Sequence, residues 1–187
     1  MKKINIFSDV AVITPDTFED SRGFFSETYN RASIKKLGID IDFIQDNQSF
    51  SRNVNTLRGI HFQSPPFAQS KLIRVLSGSI FDIFIDLRKD SETFERHGAY
   101  TLKPEDGWLF VPKGFAHGFV TLENKTNILY KVDAHYNTDC EHGIKWDDDF
   151  FSIEWPVDEK KIIISEKDSN LPLWQDVREK VNSWSWS

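Results

Sequence analysis

The chain of 187 residues has one cysteine, Cys140, so no intrachain disulfide can form, and a free thiol fits a reducing compartment. The expected location is the cytoplasm. Basic charge is also short: 23 Lys and Arg stand against 29 Asp and Glu, a net charge of -6. That balance excludes a general nucleic-acid or anionic-membrane surface, because phosphate-rich partners are met by basic patches. It leaves room for a small anionic ligand in a locally basic pocket. No apolar run approaches the roughly 20 residues of a membrane helix. The opening Met1-Lys2-Lys3 meets Asn5, Ser8 and Asp9 before any apolar stretch long enough for a signal peptide. Helical periodicity is scarce, and neither a repeat nor a linker interrupts what reads as a single domain over residues 1–187.

What is present is apolar and aromatic. Apolar residues form 39% of the chain and charged residues 28%, a globular balance rather than that of a disordered chain. The 16 Phe and 6 Trp are suited to cores, pockets and subunit interfaces. From residue 69 to 156 short β-rich runs alternate with turn residues. The runs cover residues 71–76, 79–87, 98–102, 107–111, 117–122 and 127–132, and Ser77-Gly78, Pro104-Glu105-Asp106-Gly107 and Pro112-Lys113-Gly114 mark turns. This spacing predicts a sandwich or barrel. Within it, Phe81, Ile83, Ile85 and Leu87 alternate with period two, while Phe84 interrupts the polarity of the other face. One face is expected to join the core and the other to form a cavity wall or second contact surface. Helices are expected at residues 31–37 and, after Pro172, at 173–184.

Four polar segments break the apolar strands: Asp20-Ser21-Arg22-Gly23-Phe24-Phe25-Ser26-Glu27, Gln45-Asp46-Asn47-Gln48-Ser49, Leu57-Arg58-Gly59-Ile60-His61-Phe62-Gln63 and Ile164-Ser165-Glu166-Lys167-Asp168. Each is weak alone. Stronger is Pro112-Lys113-Gly114-Phe115-Ala116-His117, a Pro-x-Gly-x-x-His turn between strands that resembles the second sequence motif of cupins. The fold this implies is mainly β, a cupin (double-stranded β-helix, jelly-roll) barrel with a few short helices, one of them C-terminal. Metal-binding cupins usually carry a His-x-His pair in their first motif; here the pair is His61 and Gln63. His61 and His117 fall short of the three protein ligands usual in a catalytic site, so no metal is expected.

Taken together these segments closely resemble the dTDP-4-dehydrorhamnose 3,5-epimerase family. The matching stretches also include Pro65-Pro66, Gln69-Ser70-Lys71-Leu72, Gly118-Phe119, Tyr130-Lys131 and Ile144-Lys145-Trp146-Asp147-Asp148, in family order from about residue 10 to residue 172. The resemblance implies a cofactor-free epimerase acting on a dTDP-linked 4-keto-6-deoxyhexose and inverting C3 and C5 through an enolate. His61 matches the base, Asp168 its carboxylate partner, Tyr130 the acid on the opposite face, and Lys71 the cation near the enolate oxygen. Arg22 and Arg58 match diphosphate ligands, since guanidinium groups form paired, charge-assisted bonds to phosphate. Glu27, Gln45, Asn47, His117, Glu141 and Lys167 match other substrate contacts, and Tyr136 the ring stacked on thymine. The resemblance further implies a homodimer with shared sites, the Arg22 to Glu27 segment reaching into the neighbour.

Alternatives stay open at this point. A mono-epimerase inverting C3 or C5 alone is one, disfavoured by the retained Tyr130. A metal-dependent cupin is discouraged by Gln63, and a catalytically silent sugar-binding cupin by the intact His61, Asp168 and Tyr130 set. The tail Asn182-Ser183-Trp184-Ser185-Trp186-Ser187 matches no family motif and is expected either to cover a surface or to be disordered.

Overall fold

The computed structural model describes residues 1–186. Thirteen strands run in chain order: β1 (Lys2–Phe7), β2 (Val10–Thr14), β3 (Phe18–Asp20), β4 (Gly23–Phe25), β5 (Gln45–Ser51), β6 (Leu57–Gln63), β7 (Lys71–Ser77), β8 (Ile80–Asp86), β9 (His97–Leu102), β10 (Trp108–Val111), β11 (Phe115–Thr121), β12 (Thr126–Val132) and β13 (Glu141–Gly143). Helix α1 (Arg31–Lys36) precedes β5, and α2 (Glu166–Ser169) and α3 (Trp174–Asn182) follow β13. One antiparallel sheet has the order β1-β2-β10-β7-β12-β5, the other β13-β6-β11-β8-β9, and β3 and β4 form a separate hairpin. This is the mainly β, cupin-type architecture.

Period-two alternation sorts the side chains into three layers. Between the sheets lie Val10, Val12, Ile73, Val75 and Leu109 from the first sheet and Ile80, Phe84, Phe115 and Phe119 from the second. The outer face of the first sheet puts Ile13, Leu72, Trp108 and Phe110 against Ile34 of α1 and Ile39. The outer face of the second puts Ile60, Phe62, Ile83, Ile85 and Ala116 against Phe151, Trp155, Trp174 and Val181. Strand β8 is thus buried on both faces: Ile83 and Ile85 point outward, while Ile80 and Phe84 point between the sheets. Phe84 interrupts the alternation because that second face is core as well.

The strands expected from residue 69 onward all form, with ends moved by one or two residues. Helix α1 starts where Asn30 Oδ1 accepts the Ser33 N–H at 3.1 Å, a cap worth about 1 kcal/mol. Lys35 and Lys36 complement the dipole of its last turn. Helix α3 is fixed by Trp174, fully buried, whose backbone N–H donates to Asp148 and whose indole donates to Glu95. Truncating a buried Trp costs about 3–5 kcal/mol. Among the described residues, no helix is long and apolar enough to cross a membrane.

Candidate active site

A cavity of about 520 Å³ opens between the two sheets. The second sheet lines it with Arg58 and His61 of β6 and His117 and Phe119 of β11. The first lines it with Lys71 and Ile73 of β7, Ile128 and Tyr130 of β12, and Gln48, Ser49 and Phe50 of β5; α2 and its cap add Ser165, Lys167 and Asp168.

Arg58 and His61 are three apart, a spacing that puts residues on opposite faces of a regular strand. Both reach the cavity because β6 bulges. His117 pairs with His61, but the next pairs are Phe119 with Arg58 and Val120 with Leu57, so Gly59 and Ile60 together oppose Gly118. Gly59 has φ +109°, and a Cβ there would sit 2.8 Å from both the Gly118 Cα and the His117 carbonyl oxygen. Only glycine fits.

The bulge turns the Gly59 N–H onto Asp168 Oδ2 at 3.1 Å, while Asp168 Oδ1 lies 2.8 Å from His61 Nε2. Asp168 itself is placed by Ser165, whose hydroxyl caps α2 by accepting the Asp168 N–H at 3.1 Å. Burial alone would raise the Asp168 pKa. The His61 hydrogen bond and charge, with the Gly59 and Ser165 contacts, outweigh burial and hold the carboxyl below its ordinary range. An ionised Asp168 therefore accepts from Nε2 and leaves Nδ1 of His61 without a protein partner among the described residues.

A second imidazole–carboxylate pair lies beside the first. His117 Nε2 is 2.8 Å from Asp82 Oδ2, and Asp82 is fully buried with Oδ1 lacking a hydrogen-bond partner among the described residues. Here burial dominates and raises the Asp82 pKa against the opposing pull of His117 and Lys71. Lys71 has no ion-pair partner among the described residues, and burial lowers its pKa to about 8 against the fields of Asp82 and Glu141. Burial raises the Tyr130 pKa, with Arg58 opposing it, so the phenol holds its proton at neutral pH.

The other expected site residues fall into groups. Arg58 stays at the cavity edge, bonded weakly to Ser51 Oγ and the Phe50 carbonyl at 3.4 Å each. Tyr136 and Lys167 both donate to Glu141 Oε2, at 2.7 and 2.6 Å, forming a polar cluster at the rim. Gln45 bonds Asn47 on β5, whose other edge has no strand neighbour among the described residues. Arg22 and Glu27 are not brought to this cavity: Arg22 is 87% exposed and paired with Asp20 on the β3–β4 hairpin, and Glu27 accepts from Asn30. Gln63 does not line the cavity; its amide donates to the Phe67 and His135 carbonyls and accepts the Asn137 N–H, bracing the loop that carries Tyr136. Among the described residues, no group of three or more His, Cys, Asp or Glu side chains is placed to hold a metal ion.

Sequence reasoning missed Asp82, although a carboxylate flanked by the apolar residues of β8 was the available signal. Gln48 and Ser49 belong to the polar segment singled out on β5, whereas Phe50, next to it, carried no signal.

Fold and site together define a cupin-type enzyme whose cavity sets the imidazole of β6, paired with the carboxylate of α2, across from a phenol and a lysine on the other sheet. The chain belongs to the dTDP-4-dehydrorhamnose 3,5-epimerase family, whose model matches residues 5–176. It is an isomerase of the carbohydrate-epimerase type. The dTDP-4-dehydrorhamnose 3,5-epimerase of Sinorhizobium fredii is 43% identical, with 88% of this chain and 85% of that protein covered. That of Salmonella typhimurium is 42% identical, covering 88% and 90%. Among solved structures, the Bacillus anthracis enzyme with TDP and PPi bound has a TM-score of 0.88 and 46% identity, covering 92% of this chain and 98% of that one. The Legionella pneumophila enzyme in complex with dTDP-4-keto-L-rhamnose has a TM-score of 0.90 and 34% identity, covering 100% and 99%.

Proposed function

We propose that the chain converts dTDP-4-dehydro-6-deoxy-D-glucose into dTDP-4-dehydro-L-rhamnose by inverting C3 and C5, without a cofactor. One observation carries the assignment of roles: His61 lies on the second sheet and Tyr130 on the first, so a sugar ring held between the sheets has a base on one side and an acid on the other. Inversion at carbon needs that opposition.

Both carbons flank the C4 ketone. His61 Nδ1 takes the C–H proton; the C–H electron pair forms a double bond to C4, and the carbonyl π pair moves onto the oxygen, giving an enolate. Asp168 stabilises the imidazolium that forms. The Lys71 ammonium stabilises the enolate oxygen as a compact cation in a partly desolvated site. With its pKa lowered only to about 8, Lys71 keeps its charge in most molecules at neutral pH. Tyr130 then delivers its phenolic proton to the opposite face of the same carbon, and proton exchange with water resets both groups before the second carbon reacts.

Arg58 fits the diphosphate, Lys167 and Glu141 the neighbouring polar groups, His117 the sugar wall, and the 55% exposed Tyr136 ring the thymine base. Arg22, Glu27, Gln45 and Asn47 complete the site from a second copy of the chain or its seam. Support for a homodimer with shared sites comes from the β3–β4 hairpin, where Phe18, Phe24 and Phe25 are each at least 65% exposed. The unpaired Cys140 thiol fits function in the cytoplasm.

The test is turnover in deuterated water with the sugar product identified. Deuterium at both C3 and C5 is expected. Label at one carbon reduces the activity to mono-epimerisation, and label at neither overturns the proton-transfer mechanism.

A further inference from the structure

The aromatic tail after α3 does not reach the cavity, yet it packs directly behind the strands that carry the base. In the antiparallel pair β6–β13, His142 lies opposite Phe62, Glu141 opposite Gln63, and Gly143 opposite His61. Side chains of directly opposed residues share a face, and neighbours along a strand point to opposite faces. His61 therefore projects into the cavity, Glu141 on the adjoining strand lies on the same side at the rim, and Phe62 and His142 project from the back of the same backbone.

The tail occupies that back. Trp184 stacks on the His142 imidazole with centroids 5.0 Å apart and planes at 27°. Phe62 meets His142 at 5.6 Å, Trp184 at 6.2 Å and Trp186 at 6.3 Å. Trp184 and Trp186 meet edge to face at 5.8 Å, and Lys180 of α3 lies 5.7 Å from the Trp184 ring centroid. Trp186 also packs close to Gly114, in the turn that leads into β11 and His117. The outer end of β13 is tied by the His142 ring to Ser64 Oγ at 3.3 Å. On its other side the tail borders a cavity of about 630 Å³ shared with Arg88 and Ser91.

We propose that Trp184 and Trp186 are positioning residues of the active site: by clamping the Phe62–His142 pair from behind, they hold the β6–β13 backbone so that His61 meets the substrate carbon. This rests on the epimerase reading above. The effect is expected in the chemical step because proton abstraction tolerates little misplacement; a shift of about 1 Å can cost up to a hundredfold in rate. Both tryptophans are only partly buried, unlike Trp174, so the fold itself has other anchors.

The experiment compares the full chain with Trp184→Ala/Trp186→Ala and with Trp184→Phe. The double variant is expected to lose about tenfold in kcat with KM within about twofold, and Trp184→Phe, which keeps a ring on His142, to recover most of it. Imidazole NMR resonances of His61 are expected to shift in the double variant while those of His97, on β9, stay in place. Equal kcat with unmoved His61 resonances overturns the proposal, whatever the melting temperature does. So does a loss confined to KM. Were the double variant not to fold, Trp184→Leu removes the stack at smaller volume cost and is read the same way. A parent chain without epimerisation defeats the epimerase reading alone, because the His61 resonances still decide whether the tail positions the ring.

Discussion

Two histidines face each other across β6 and β11, each 2.8 Å from an aspartate, and their surroundings separate them. The His61 side chain is 29% exposed and the His117 side chain 9%. Asp168 uses both oxygens, against an imidazole and a backbone N–H, and its pKa is held down. Asp82 uses one oxygen, is wholly buried, and has its pKa raised. Burial is the largest influence on both carboxyls. The sign differs because the Gly59 and Ser165 contacts add to the imidazole at Asp168, whereas Asp82 has only His117 and the field of Lys71. The distance alone does not distinguish the two pairs; the burial of the carboxylate and the donors behind it do. A third aspartate extends the point, since Asp86, four residues from Asp82 on β8, accepts from Arg88, Ser91 and Thr93 and has its pKa lowered despite burial.

The comparison breaks most severely at His61. His61→Ala is expected to abolish deuterium exchange at both carbons, a loss on the order of 10⁴-fold in kcat; retention of parental exchange would sink the base assignment. Asp168→Asn should cost on the order of 10²-fold or more, because the neutral amide no longer stabilises the imidazolium. Tyr130→Phe separates the two half-reactions: inversion should fall on the order of 10²-fold while proton removal, read as exchange without net epimerisation, falls less. Lys71 supplies a pH test. Its charge is complete well below about pH 8 and lost above it, so kcat/KM is expected to fall as pH rises through about 8. Lys71→Arg should carry that limb to higher pH, and an unmoved limb would assign it to another group.

The smallest effect is on the second pair. A carboxyl whose folded pKa lies above its unfolded value favours the folded state at low pH, and that contribution is lost as pH rises through the folded pKa. Asp82 is therefore a burden at neutral pH. Asp82→Asn is expected to leave stability unchanged or raised by about 1 kcal/mol in thermal unfolding. A loss of several kcal/mol would show that the Asp82 charge is needed by His117 and Lys71 as an ion cluster.

Much of this site is legible in the order of the residues. Pro112-Lys113-Gly114 announces the turn into β11, and the ordered segments name His61, Asp168 and Tyr130 together. The bulge is not legible, since the three-residue spacing of Arg58 and His61 reads as opposite faces unless Gly59 is known to carry a positive φ. Helix α2 has four residues, too few to leave a periodic trace, and Asp168 at its core meets His61 across a separation of 107 residues. The surface expected for Trp184 and Trp186 proves to be the back of the active-site strands.

By itself the sequence determined the strand alternation, the turns, the single unpaired thiol and the residue types on which the chemistry depends. Those are local properties, written in period, turn chemistry and composition. The tertiary structure alone decided which carboxylate would be held ionised, which would be buried half-satisfied, and that the His61 imidazole and the Tyr130 phenol would come from opposite sheets. Those outcomes depend on burial and on donors brought from distant strands, and burial is a property of the assembled fold rather than of any segment.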